Sequence, residues 1–269
     1  MGKVIGLISI KGGVGKTTAV INIAHSLASC YGKKVLVIDA NFSCPNLNLY
    51  LGNTNPKHTV RDVLNSKVKA GSAVYEHEYG FHVLPSSFNV TSGNNFLGLK
   101  ARVQNFKKYY DFIILDSSPS LNNELLAAIA ASDELYAVST PDLPTLSTTL
   151  KAVKVARDKK MNISGLILNK VRGKNYELKP EDMERLSGIP LFGVIKDDVL
   201  IPDSISKVKP VTLLSHDSDI SEAYRKIAAR IAGVEYEEPR WHRKLFANIK
   251  DDFSRLSAHK FSRGLLYYK

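Results

Sequence analysis

Cysteine is scarce in this chain of 269 residues: Cys30 and Cys44 are the only two, and no C-x-x-C pair occurs. A disulfide framework or a cluster held by paired cysteines is therefore not expected, and the composition suits a reducing compartment. Long apolar runs are missing as well. The nearest, Leu125 to Val138, is interrupted by Ser132-Asp133-Glu134, short of the roughly 18 apolar residues that a membrane-spanning helix needs. Internal repeats and low-complexity tracts are absent from the sequence, which speaks against a solenoid. The apolar run from Val4 begins almost at the first residue, so the expectation is a cytoplasmic chain with no leader. Acidic residues are outnumbered, 26 against 37 Lys and Arg, for a net charge of +11.

Hydrophobic residues make up 44% of the chain, enough for a substantial core. Short runs rich in Val, Ile and Leu fall near residues 4–10, 35–39, 81–84, 111–116, 135–140, 164–169 and 191–194. These read as buried parallel strands. Helical patterns fall between them, near 17–30, 59–66, 94–108, 122–131, 144–160, 180–187 and 218–232. The alternation predicts one α/β domain over residues 1–233, a doubly wound, mostly parallel sheet with helices on both faces. A ligand site is expected at the C-terminal ends of its strands.

Between the first strand and the first helix stands Lys11-Gly12-Gly13-Val14-Gly15-Lys16-Thr17-Thr18. A glycine-rich loop between a strand and a helix is the context of a phosphate-binding P-loop. Its glycines let successive N–H groups turn inward towards phosphate oxygens, and the helix dipole adds to their field. Lys16 is placed to neutralise β- and γ-phosphates, Thr17 to put its hydroxyl on Mg²⁺, and Thr18 to reach another phosphate. Asp39 and Asp116 each end a predicted strand. They suit a Mg²⁺ held largely through water and phosphates, although each is also a good helix cap.

The form KGGVGKTT resembles the deviant Walker A loop of the MinD/ParA family of dimerising ATPases. Val35 to Asn41 resembles that family's second strand and first switch segment, and Asn46 to Gly52 its N-L-x-L-x-L-G run. Asp111 to Asp116 resembles Walker B, and Asp116-Ser117-Ser118-Pro119-Ser120-Leu121 is close to the D-x-P-P-S-L of ParA members. Thr140-Pro141-Asp142 and Gly165 to Lys170 extend the likeness, which runs from residue 3 to about 233. The resemblance implies ATP and ADP as ligands with Mg²⁺, and an ATP-dependent dimer, homotypic or heterotypic. In it Lys11 reaches the nucleotide of the partner subunit, and Asn169 reads the adenine edge. No N-K-x-D stretch favouring guanine follows.

Two departures stand out. MinD-like proteins usually have D-x-D where this chain has Asp39-Ala40-Asn41. The resemblance gives the second Asp the task of orienting the attacking water. An amide can accept a hydrogen bond but cannot take a proton, so slow hydrolysis is expected. Lys196 stands where relatives often have proline in the loop framing adenine, which bears on contacts to the base and leaves the phosphate site unaffected.

After an acidic linker, residues 234–239, the chain turns basic and aromatic. From Pro239 to Lys269 eight Lys or Arg face two Asp, a net of +6. On a helical wheel Trp241, Leu245, Phe246, Ile249, Phe253 and Leu256 share one arc, with Arg243, Lys244, Lys250 and Arg255 outside it. Residues 240–269 thus read as an amphipathic tail that lies on an anionic membrane surface, or as a helix docked on its own domain. MinD relatives end in a shorter tail of this kind.

Three functions follow from these readings. The first is a MinD-like switch that binds the membrane peripherally when ATP dimerises it and positions cellular machinery such as a division site or polar structure. The second is a ParA-like ATPase that binds DNA non-specifically, supported by Lys151, Lys154, Arg157, Lys159 and Lys160 on one predicted helix. The third, raised by Asn41, is a non-hydrolysing ATP-bound scaffold. The sequence names no cargo and no activating protein.

Overall fold

A computed structural model of the chain describes residues 1–87, 96–161 and 163–237. Met1–Val234 form one compact unit. Its sheet has eight strands: β1 (Lys3–Ile8), β2 (Val35–Ala40), β3 (Tyr75–Glu76), β4 (His82–Leu84), β5 (Phe112–Ser117), β6 (Glu134–Ser139), β7 (Ile163–Val171) and β8 (Leu191–Lys196). Their spatial order is β3-β4-β2-β5-β1-β6-β7-β8, parallel throughout except for the short antiparallel β3–β4 pair. The doubly wound expectation therefore holds.

Burial on both faces explains the near-continuous apolar runs. Side chains alternate along each strand: Ile5 and Leu7 of β1, with Val35 and Val37 of β2, enter the core on one face. Val4, Leu36 and Ile38 enter the core on the other face. The first face is covered by α1 (Lys16–Tyr31) and α10 (Asp219–Ala232). On the second lie α3 (Val60–Leu64), α4 (Leu99–Phe106) and α5 (Asn123–Ala131). Beside them α6 (Leu143–Asp158) and α7 (Pro180–Ser187) cover β6 and β7. Three short helices complete the order: α2 (Leu47–Tyr50), α8 (Leu200–Ser206) and α9 (Val211–Leu214).

The structure corrects several boundaries. The first strand stops at Ile8, because the Ser9 hydroxyl takes the Lys11 N–H and turns the chain into the glycine loop. The helix expected near 94–108 is regular only over Leu99–Phe106, after a 3-10 turn at Phe96–Gly98; residues 88–95 lie outside the described residues. β7 is longer than expected, running to Val171. Strand β3 and helices α2, α8 and α9 were not anticipated. Each has seven residues or fewer, too short to carry a periodic signal. The expected tail with Trp241, Leu245, Phe246, Ile249, Phe253 and Leu256 lies outside the described residues.

The sheet order places β1 between β5 and β6. From β1 the chain crosses to β2 on one side, and from β5 it crosses back to β6 on the other. The loop after β1 thus sits at the switch point, where doubly wound sheets open a crevice at the carboxyl ends of their strands.

Candidate functional site

Gly12 and Gly13 have room for a Cβ, so the loop here is shaped by backbone rather than by packing. Gly15 shares a left-handed φ with Gly13, 91° against 78°, but here a Cβ would also lie 2.2 Å from the Asn169 side-chain nitrogen. The next residue, Lys16, opens α1, whose N-terminus has neither a side-chain cap nor an acidic residue in its first turn. Four orphan N–H groups at a helix start attract an anion, and nothing in the sequence here competes for them. Lys16 and Thr18 are buried, and Val14 packs into the core beneath the loop.

Strand register brings the carboxylates together: Asp39 is directly opposite Asp116 on the paired strands β2 and β5. Thr17 Oγ1 donates to Asp116 Oδ2 at 2.7 Å, and Lys16 Nζ lies 3.6 Å from Asp116 Oδ1. Asp39 is fully buried. Burial first, and the Asp116 charge second, hold its carboxyl well above the usual carboxylate range. Asp39 Oδ2 and Asp116 Oδ1 are buried with no hydrogen-bond partner. Two orphaned carboxylate oxygens beside a threonine hydroxyl form a hard, all-oxygen donor set, the kind that fits Mg²⁺ completed by water and phosphate.

Lys11 points elsewhere. Its Nζ is 3.3 Å from Asp142 Oδ1 and donates to Thr145 Oγ1 at 2.6 Å, at the N-terminus of α6. Asp142 caps that helix by accepting the Thr145 N–H at 2.9 Å. Burial raises the Asp142 carboxyl, but bonds from Thr140, Thr145 and Lys11 outweigh it and bring it to about 2. The lysine is thus held by a carboxylate that stays ionised, at a half-exposed position beside the loop.

Asn41 is buried, and its backbone N–H donates to Asp39 Oδ1 at 3.0 Å. Its side-chain NH₂ donates to the Cys44 carbonyl, while its Oδ1 is buried without a partner. Asn169 donates to the Val14 carbonyl at 2.8 Å and accepts from Lys170 N at 2.9 Å. It therefore braces the P-loop as well as lining a cavity of about 390 Å³, which it shares with Gly15, Thr18, Lys196 and Asp198. A second cavity of about 320 Å³ lies on the other flank, lined by Lys11, Gly12, Gly13 and Asp142.

Three neighbours were not anticipated. Glu124 of α5 is buried and accepts from both the backbone N–H and the hydroxyl of Ser43, pinning the segment that contains Asn41. Thr145 shares Lys11 with Asp142. Lys170, at a left-handed φ of 57°, donates to the Gly13 carbonyl at 2.8 Å. Glu124 lies 81 residues from its partner, a pairing that only the fold reveals.

Comparison with known proteins follows the same lines. An AAA domain family model matches residues 2–163. The septum site-determining protein MinD of Thermotoga maritima is 31% identical over 276 residues, covering 95% of this chain and 99% of its own. The chain belongs to the MinD/ParA family of P-loop ATPases. Within that family, the cell division ATPase MinD of Pyrococcus furiosus superposes with a TM-score of 0.81 at 28% identity, over 87% of this chain and 99% of that one. MinD of Pyrococcus horikoshii, solved with Mg-ADP, gives 0.80 at 28% identity over 86% and 96%. As a family member the chain is an ATPase that binds nucleotide with Mg²⁺.

Proposed function

We propose that this protein is a slow, ATP-dependent dimer switch that attaches peripherally to anionic membrane and positions other machinery, in the manner of MinD. In this reading the Gly12–Thr18 segment holds the phosphates, Thr17 with Asp39 and Asp116 holds Mg²⁺, and Asn169 stands at the base. Bound Mg²⁺ would supply charge neutralisation of the β- and γ-phosphates. The chain's own residues fix the geometry: Lys16 sits buried beside Asp116, and Glu124 and Asn41 set the path of the segment after β2.

The observation that carries the reading is the position of Lys11. Its ammonium is held on a half-exposed clasp with Asp142 and Thr145. A lysine so placed can exchange an intramolecular carboxylate for the phosphates of a second copy. Two copies would bring two tails to one surface, and weak attachments joined in one dimer gain by avidity. Co-sedimentation with vesicles of phosphatidylglycerol tests this. Retention should be greater with ATP than with ADP, and truncation after Gly233 should greatly reduce it; equal retention in both nucleotide states would contradict the switch.

A second reading, DNA retention as in ParA proteins, is favoured by one feature. Lys151, Lys154, Arg157, Lys159 and Lys160 are all exposed, along and just beyond α6. DNA retention that needs ATP and falls steeply with salt would favour it.

A further inference from the structure

One large cavity is far from the P-loop. It has about 790 Å³ and is lined by the starts of parallel strands, Val35 of β2 and His82 of β4, and by Tyr110 just before β5. The P-loop follows the carboxyl end of β1, so this cavity is at the opposite pole of the sheet. Its floor is apolar, with Phe106, Val74 and Val35; its rim carries Lys33, Lys34 and Lys108 against the single carboxylate of Glu76.

The three lysines make no ion pair among the described residues. Neighbouring Lys3 and Lys107, by contrast, are paired with Glu134 and Asp133. Nearby Asp111 spends one oxygen on the Lys34 backbone N–H, at 2.8 Å. Lys108 lies over the exposed ring of Tyr109, 4.9 Å from its centroid. His82 Nδ1 and Tyr110 Oη are 2.8 Å apart at the wall, a fixed polar pair. Gly233, where the last described helix ends, lines an adjoining cavity with the same three lysines, so the chain leaves the folded unit at this pole.

An apolar floor under a cationic, aromatic rim matches one ligand chemistry: a phosphate monoanion carrying a hydrocarbon chain. We propose that this pole is a second membrane-contacting site, which takes the headgroup phosphate of an anionic phospholipid on Lys33, Lys34 and Lys108 and the start of its acyl region against Phe106 and Val74. Each surface lysine adds a modest attraction to an anionic leaflet, and three act together. The proposal extends the membrane reading to the folded unit but does not depend on the tail.

The test uses the full chain and monomeric dihexanoyl phosphatidylglycerol below its micelle concentration, followed by calorimetry. Saturable binding near one lipid per chain is expected. It should weaken by about tenfold or more in a Lys33→Gln, Lys34→Gln, Lys108→Gln variant. Gly71→Leu should weaken it too, because Gly71 lines the cavity with room for a side chain and lies far from the nucleotide loop. Undiminished binding in both variants would overturn the proposal, as would no binding at all to the wild-type chain. Displacement by equimolar inorganic phosphate would make this a free phosphate site and overturn the lipid assignment. A Trp241→Ala, Phe246→Ala variant separates the two membrane readings: its vesicle binding should fall to the weak attachment of the pole site while it keeps the monomeric lipid, and loss of the monomeric lipid in it would also overturn the pole site.

Discussion

Asn41 holds its loop together with an uncharged amide, at a position where the family resemblance implies an aspartate. Its amide donates to the Cys44 carbonyl and leaves its own oxygen buried without a partner. An aspartate there would face the Cys44 carbonyl with a second acceptor and lose that bond. Asn41→Asp should therefore raise phosphate release by about tenfold or more, by restoring a charged group that orients water. It should also lower unfolding free energy by about 1–3 kcal/mol, the cost of an unmatched buried polar group. Phosphate release and urea denaturation on the same preparation check both; a variant that is no faster would contradict the role given to Asn41. Glu124→Gln removes one of two carboxylate acceptors from Ser43, so kcat should fall by about fivefold while KM for ATP changes little. A rise in KM alone would place Glu124 at nucleotide binding instead. Much at this scale was legible because P-loop residues are contiguous: Lys11 to Thr18 needed no folding to be recognised. Glu124 and Thr145 were not legible. Their partners lie 81 and 134 residues away, and a lone Glu or Thr at a helix start reads as an ordinary capping residue.

At the scale of elements, the middle of α1 is tied to α9. Asn22 Oδ1 accepts from both the backbone N–H and the hydroxyl of Thr212 at 3.1 Å, and His25 Nδ1 lies 2.8 Å from the same hydroxyl. Burial, then the nearby His216, lowers the His25 pKa to about 4. Since the folded value is below the unfolded one of about 6.5, protonation favours the unfolded chain. The stability is whole above pH 6.5 and drains as pH falls towards 4. Between pH 7 and 4.5 the loss should be about 2 kcal/mol, read by denaturation at each pH, and His25→Gln should flatten that slope. An unchanged slope in the variant would assign the acid sensitivity to other groups. Strands and long helices were readable from the sequence because burial on both faces leaves continuous apolar runs. The short helices α2, α8 and α9 were not, since they are set by tertiary contacts such as the Asn22 bonds to Thr212.

Over the whole molecule, the sheet order sets the P-loop, the Asp39–Asp116 pair and the Lys11 clasp at one pole, and the cationic cavity with the chain's exit at the other. In the proposed reading, nucleotide and membrane surface are addressed by different ends of one sheet. On that reading coupling between them would pass through dimerisation, with Lys11 as the side chain that reports it. Releasing the clasp should help: Asp142→Asn, which keeps the shape but removes the charge opposite Lys11, should shift dimerisation to lower ATP concentration, seen by titration in analytical ultracentrifugation. The central claim is tested most directly by the solution mass from light scattering of the purified chain in Mg²⁺ with ATP or with ADP. The account predicts a mass doubling with ATP, none with ADP, and none with ATP after Lys11→Ala. A monomer in every state, or a Lys11→Ala protein that dimerises as well as the original, would contradict it.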